Sequence, residues 1–563
     1  MKLTGAEIII KLLERQGIRQ LAGIPGGANL PMYDALSRSE SIRHILARHE
    51  QGAGFIAQGQ ARVTGKPAVF FATSGPGATN ALTAIADAKL DSIPIICITG
   101  QVPQPLIGTD AFQEIDTFGL SVPITKHSYF VKSAHELLEV IPSAFQVASE
   151  GRPGPILIDV PKDVQCELIE VDQFPEIGEP EPVGAISEME TQGAAEMIMA
   201  AKCPIAYIGG GAIHSAASAE LIDFIERTDI PVTSTLMGLG AFPSKDRRFI
   251  GMLGMHAARY TNKAMEESDL LITLGARFDD RATGKVAQFC PTAKVLHIDI
   301  DRSEIGKLKN AHLGIECDLK DALRAITPKL EKRSLSDWHQ RIDELKNAFP
   351  ADFGNWDDPI SEYGIIKKVA EIVGEEAIIA TDVGQHQMRV AQSYQFNLPR
   401  KWLTSGGLGT MGFGLPAAIG ASLEEREKTV VCFSGDGSIL MNIQELVTAV
   451  EENANVKIVI SNNNSLGLVH QQQNLFYGKN IFAANFSKAV DFTMLARACG
   501  MEAYDLGQVT DPSKTLEHAL SESGPCLINV PIDVERRVYP MVPPGGANSE
   551  MLHEDKELID QDI

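Results

Sequence analysis

The residues of this chain whose types and spacing point most directly to chemistry are Asp436 and Asn463. Asp436 sits in Ser434-Gly435-Asp436-Gly437-Ser438, and Asn463 is the middle of Asn462-Asn463-Asn464. A carboxylate and an amide oxygen are hard ligands that suit an octahedral Mg²⁺, which binds few protein groups and keeps its other positions for phosphate oxygens and water. Backbone N–H groups at a helix start, as at Gly437 and Ser438, complement the same phosphates. The implied chemistry is a clamp for a metal–diphosphate group. A Gly-Asp-Gly turn beside a polar loop is the alternative when the motif is read alone.

Two other places carry chemistry. Glu50 follows Ile45-Leu46-Ala47-Arg48-His49 and precedes Gln51-Gly52-Ala53-Gly54-Phe55, at a strand end near a helix start. A carboxyl group among such small and apolar neighbours is partly desolvated and suits general acid–base work. A helix-capping or surface glutamate is the alternative. Cys203-Pro204-Ile205-Ala206-Tyr207-Ile208 runs into Gly209-Gly210-Gly211, and Val295-Leu296-His297-Ile298 ends at Asp299. A glycine turn and a strand-end acid suit a dinucleotide, the acid for ribose hydroxyls, although three glycines alone are weak evidence.

The elements that must position these groups follow from hydrophobic periodicity. Thr429 to Phe433 reads as a buried strand, Ile443 to Glu452 has helical spacing at Leu446, Val447 and Val450, and Val456 to Ile460 reads as the next strand. Asp436 and Asn463 then end two parallel strands of a βαβ unit, where open α/β sheets bind ligands. Strand and helix patterns alternate along the whole chain, so the expected fold is α/β, with three doubly wound parallel-sheet domains. Val171 to Glu188 and Phe349 to Glu362, rich in Pro, Gly and acids, read as linkers. They divide the chain into 1–170, 190–345 and 362–540, with a polar, acidic tail over 541–563 that includes Glu554-Asp555-Lys556-Glu557.

Composition bounds the partners. The 563 residues are 44% hydrophobic and 22% charged, as for a soluble multi-domain enzyme. A net charge of −23 with no basic run argues against nucleic acid. The eight cysteines form no metal-spaced cluster, and several, such as Cys97 and Cys432, fall in apolar runs as buried thiols, which suits a reducing compartment. Thr4 with Glu7 three residues on reads as a helix start rather than a signal peptide. There is no membrane-length apolar run. The expected location is cytoplasmic.

Longer strings add a resemblance. Gly23-Ile24-Pro25-Gly26-Gly27, Arg48-His49-Glu50-Gln51-Gly52-Ala53 and Thr73-Ser74-Gly75-Pro76-Gly77-Ala78-Thr79-Asn80, with the Asp436-to-Asn463 spacing, resemble the thiamine diphosphate (ThDP)-dependent decarboxylase and carboligase superfamily. Gly108-Thr109-Asp110-Ala111-Phe112-Gln113-Glu114, Ala276-Arg277-Phe278-Asp279-Asp280-Arg281 and Gly406-Gly407-Leu408-Gly409-Thr410-Met411-Gly412 are similar to the large catalytic subunit of the acetohydroxyacid synthase (acetolactate synthase) family. The resemblance extends to Tyr539-Pro540-Met541-Val542-Pro543-Pro544. It implies a pyrimidine-binding domain, a central Rossmann-like FAD-binding domain and a diphosphate-binding domain, in that order.

The resemblance also implies roles. Glu50 activates the cofactor by hydrogen bonding to its aminopyrimidine, and the Gly27 backbone N–H faces a developing oxyanion. Phe112, Gln113 and Lys162 line the pocket. Gln385 and His386 lie near the diphosphate, Met411 props the cofactor into a bent shape, and the Gly409 carbonyl meets its amino group. Asp436, Asn463 and the Ser465 carbonyl are the Mg²⁺ ligands. FAD lies against Arg152, Gly210, Met255, His256, Gly275, Arg277, Asp279, Asp299 and Asp318. Arg281 grips the carboxylate of the second substrate, its guanidinium fork matching that geometry; a surface ion pair with Asp279 or Asp280 is its alternative. The implied reaction joins the two-carbon remainder of pyruvate to a second 2-oxoacid, in branched-chain amino-acid biosynthesis.

One position departs from the family. Many members carry tryptophan where this chain has Gln472, a position associated with choosing 2-oxobutyrate over pyruvate, and Leu468 stands where methionine is frequent. The expectation is an isozyme-I-like enzyme with little acceptor preference. A flavin-dependent pyruvate oxidase is the nearest rival, disfavoured by Arg277 to Arg281 and the Gln113 neighbourhood. Glyoxylate carboligase is disfavoured by Glu50, an FAD-free catabolic enzyme by the middle region, and a non-catalytic scaffold by intact Glu50, Asp436 and Asn463. A shared site implies a homodimer or tetramer; a small regulatory subunit is a further candidate partner.

Overall fold

The computed structural model describes residues 1–553. Three six-stranded sheets, each parallel throughout, follow one another along the chain. The first contains Gln20–Gly23, Arg43–Leu46, Ala68–Ala72, Ile95–Gln101, His127–Phe130 and Ile156–Pro161. Numbered within the sheet in chain order, the strands lie 2-1-3-4-6-5. The third sheet, from Ile378–Thr381 to Cys526–Pro531, repeats that order. The middle sheet, from Pro204–Ile208 to Leu313–Glu316, runs 3-2-1-4-5-6, the order of dinucleotide-binding folds. Its strands are near-continuous apolar runs because helices cover both faces of a parallel sheet.

Between these sheets, residues 171–187 and 349–363 contain no helix or strand. The N-terminus holds the expected helix start and one element that the sequence pattern does not reveal. Thr4 does form the capping box with Glu7, accepting from its backbone N–H at 3.2 Å. Lys2–Thr4, however, is a short strand that pairs antiparallel with Leu168–Glu170, and so closes the first region on itself.

The first and third regions share one core, to which Ile56, Ala57, Ala418 and Ile419 all belong. Its centre is the contact between the helices Glu50–Thr64 and Gly414–Glu424. A Cβ at Gly59 would stand 2.0 Å from the Ala417 carbonyl oxygen, and one at Gly420 the same distance from that of Ile56. Glycine is required at both because the two backbones touch.

The segment expected as a polar tail is a strap over its first part. Val542 N–H donates to Met255 O at 2.8 Å and Lys285 N–H to Gly546 O at 3.0 Å. Met541, Val542 and Ala547 are buried. Apolar side chains spaced among prolines and glycines bury against the middle region without forming an element that periodicity reveals. Glu554-Asp555-Lys556-Glu557 lie outside the described residues.

Candidate active site

Val430–Gly435 and Val456–Asn462 are adjacent parallel strands with Gly435 opposite Ser461. Their ends release Asp436 and Asn463 side by side, as the sequence pattern implied. The Ser465 backbone N–H donates to Asp436 Oδ2 and to Asn463 Oδ1, each at 3.1 Å, so the two oxygens converge on one point. Burial pushes the Asp436 carboxyl up to about 6, against the pull of the backbone N–H groups of Ser465 and Gly437.

Asp436, Asn463 and Ser465 share a cavity of about 150 Å³ with Gln385, His386 and Met411. Gln385 Nε2 donates to Gln471 Oε1 at 2.9 Å, but Gln385 Oε1 and His386 Nε2 are buried without a partner. Burial pushes His386 down to about 3, so its imidazole is neutral. A buried carboxylate held by backbone N–H groups but by no cationic side chain among the described residues, beside unpaired polar atoms, fits a site built for Mg²⁺ and a diphosphate.

The loop bearing Gly409 and Met411 is held by residues that sequence reading missed. Gly412 N–H donates to Asp382 Oδ1 at 2.8 Å, and Asn442 Nδ2 donates to Gly412 O at 2.8 Å. From the first region, Asp91 accepts from Gly407 N–H at 2.7 Å and from Gly406 N–H at 3.1 Å. Asp87 accepts from the Thr410 hydroxyl at 2.7 Å and from Ser405 Oγ. Arg62 Nη2, 2.8 Å from Asp91 and 3.6 Å from Asp87, balances the pair in an almost dry interior. Asp382 directly follows the strand Ile378–Thr381; a polar residue at a strand end was legible, but not the loop it grips. The Asp87 cluster had none, because the loop it grips, from Ser405 to Thr410, lies far along the chain from it.

A second cavity, about 710 Å³, opens at the crevice of the middle sheet, where strand order reverses. Gly211 and Gly275 lie just beyond the ends of the two central strands, Pro204–Ile208 and Leu270–Leu274, and pass so close that a Cβ on Gly211 would stand 2.7 Å from Gly275 Cα. Arg152, Gly210, Met255, His256, Gly275 and Arg277 line it, as do Asp279, Arg281, Asp299 and Asp318. Its size suits a bound cofactor.

Its polar groups are already oriented. Arg152 donates to Ser92 Oγ, Asp301 and Glu304 at 2.9, 3.1 and 3.0 Å. Arg277 Nη2 donates to Leu90 O at 3.1 Å. Asp279 and Asp318 cap short helices, accepting from Arg281 N–H at 3.0 Å and Lys320 N–H at 2.9 Å. Burial pushes Asp299 up to about 6, and His256, 3.1 Å from Pro540 O, down to about 4. Arg281 is largely exposed; its Nε stands 3.8 Å from Asp280, a loose contact rather than a locked ion pair. Leu468 and Gln472, one turn apart on Gly467–Phe476, line both cavities and form the wall between them.

Gly437 and Ser438 also line the smaller cavity and Gly409 the larger, whereas the other expected residues reach neither. Glu50 is buried, and its Oε2 accepts from Asn80 Nδ2 at 3.0 Å. Gly27, Phe112, Gln113 and Lys162 also line neither space. Phe112 is 87% exposed. Its loop is nonetheless ordered from beneath: Gln101 Nε2 donates to Ile115 O at 2.9 Å and to Asp159 Oδ2 at 3.0 Å.

Residues 3–120, 191–326 and 382–530 match, in turn, the N-terminal TPP binding, central and C-terminal TPP binding domains of thiamine pyrophosphate enzymes. The chain is 56% identical to the acetolactate synthase isozyme 1 large subunit of Escherichia coli (strain K12), over 98% of either chain. It is 44% identical to the isozyme 2 large subunit of that bacterium, over 98% of this chain and 99% of the relative. It is 45% identical to the chloroplastic acetolactate synthase 1 of Nicotiana tabacum, over 98% of this chain and 85% of the relative.

Proposed function

The chain belongs to the acetolactate synthase family of thiamine pyrophosphate enzymes, and from that premise we propose how its residues carry the reaction. Its activity is that of an acetolactate synthase: pyruvate loses CO₂, and the two-carbon remainder joins a second 2-oxoacid. Pyruvate as acceptor gives 2-acetolactate, and 2-oxobutyrate gives 2-aceto-2-hydroxybutyrate. Thiamine diphosphate, when bound, supplies the electron sink that lets CO₂ leave.

The observation that carries the reading is the convergence of Asp436 Oδ2 and Asn463 Oδ1 on one N–H, in a cavity with unpaired Gln385 Oε1 and His386 Nε2. Asp436, Asn463 and the Ser465 carbonyl would hold Mg²⁺, and Gln385 and His386, with Gly437 and Ser438, would hold the diphosphate. Met411 supports the ring system, and Gly409 offers its carbonyl from a left-handed backbone with φ of 69°. The larger cavity would take FAD, its glycine turns leaving room for a pyrophosphate and Asp299 available to ribose hydroxyls. Arg281, unlocked and exposed, takes the carboxylate of the second 2-oxoacid.

Glu50 would meet the cofactor's aminopyrimidine and supply the acid–base group that activates it, and the Gly27 N–H would face the substrate oxygen. Phe112, Gln113 and Lys162 wall the reacting centre. All five line neither cavity of their own chain, which supports a site completed by a second copy, and so a homodimer at least. The large-subunit names of the bacterial relatives support a small partner subunit. Eight free cysteines support a cytoplasmic location.

Incubation with pyruvate, ThDP and Mg²⁺, with and without FAD, tests the reading. Acetolactate is the expected product. Acetate formed with flavin reduction would establish a pyruvate oxidase instead.

A further inference from the structure

The smaller cavity has one wall residue that the roles above leave unused. Arg389 is among the largest fully buried side chains, 1% exposed. The helix Gln385–Ser393 sets it one turn beyond Gln385 and His386, on the same face, and all three line the cavity. Its Nη2 donates to Arg536 O, while Nε and Nη1 have no hydrogen-bond partner. The neighbouring Tyr363 hydroxyl donates to Gln392 Oε1 at 2.8 Å and turns its oxygen toward the guanidinium, a neutral contact that offsets no charge. Glu362 acts on the guanidinium only from beyond ion-pair distance.

A guanidinium does not lose its proton in a protein, so it cannot escape burial by becoming neutral. An unpaired buried cation is costly unless an anion arrives. Among the described residues lining this cavity, Arg389 is the only lysine or arginine. His386 is neutral, and Asp436 offsets part of the charge of any metal it holds.

We propose that Arg389 is a counter-charge for the diphosphate of the cofactor, offering its unpaired Nε and Nη1 donors to phosphate oxygens. The inference rests on reading the cavity as a diphosphate site. The alternative role is structural, a tie to the Arg536 carbonyl.

The test uses the full-length enzyme stripped of cofactor. Titration calorimetry with ThDP and Mg²⁺ gives Kd, and thermal melting without cofactor gives intrinsic stability. Arg389→Gln is expected to raise the Kd by about ten- to a hundredfold, as loss of a charge-assisted hydrogen bond does. It is expected to leave the cofactor-free melting temperature equal or higher, since an unpaired charge is gone. Arg389→Lys keeps the charge without the fork and is expected to bind within about tenfold of wild type. A Gln variant with wild-type Kd overturns the inference, whatever its stability. So does a Lys variant that melts like wild type yet loses binding altogether. Wild-type protein that fails to bind ThDP overturns the reading of the cavity itself, a distinguishable result.

Discussion

In the proposed mechanism Glu50 and Gln472 separate two functions that a single residue rarely combines, activation and choice. Glu50 is buried with one carboxylate oxygen held by Asn80 and the other uncommitted, so its orientation is fixed before any ligand arrives. General acid–base groups contribute about 10²–10⁴ in rate, so Glu50→Gln should lower kcat by that range with ThDP affinity nearly kept. Steady-state acetolactate formation beside a binding titration checks this; unchanged kcat would remove Glu50 from the mechanism. Gln472 stands on the wall between the cavities and offers an amide where an apolar surface would favour an extra methyl. Gln472→Trp should shift acceptor preference toward 2-oxobutyrate by about 1–3 kcal/mol, the worth of one methylene. Competition between 2-oxobutyrate and pyruvate measures the shift, and an unmoved product ratio refutes it.

At the scale of elements, the functional loops are held by buried carboxylates that belong to other elements. The helix Pro76–Asp91 shows this: Asn80, near its start, holds Glu50, while Asp87 and Asp91, at its end, hold the loop from Ser405 to Thr410. Asp159 does the same for the loop of Phe112 and Gln113, through Gln101. Burial pushes the Asp159 carboxyl up to about 7, more than the Thr99 and Gln101 hydrogen bonds pull it down, and the Asp116 charge adds to the rise. The folded state therefore keeps a proton that the unfolded chain, with a carboxyl near about 3.9, has released. Stability from this group is complete below about pH 4 and is lost as pH rises to about 7. Asp159→Asn should abolish that part of the slope, so its melting temperature gains on wild type between pH 5 and pH 8. Parallel curves for the two proteins would refute it.

The whole molecule joins two sheets of one topology with a third of another, and the join decides where chemistry happens. The shared core of the first and third regions fixes Glu50 away from the Asp436 cavity of its own chain. The proposed sharing of the site between two copies makes a quantitative prediction. Glu50→Gln and Asp436→Ala chains, each inactive alone, should recover roughly a quarter of wild-type activity when co-expressed, because half of randomly paired dimers are hybrids with one intact site of two. No recovery, despite hybrids detected by mass, would place the whole site within one chain.

Local pattern sufficed for the parallel strands, the ends that carry Asp436, Asn463 and Asp299, and the glycine turns between them. Buried strands are unbroken apolar runs, and a metal or phosphate at a strand end needs particular residue types within a few positions. The capping box at Thr4 was legible for the same reason. Tertiary structure alone decided the rest: the Arg62–Asp87–Asp91 cluster, the Asp382 and Asn442 grip on Gly412, the strap formed by residues 541–553, and the unpaired burial of Arg389. These contacts join residues far apart in the chain, and a charge reads as a surface residue until packing removes the water around it. Spacing names the ligands of a site, while only packing determines which polar groups are left waiting for one.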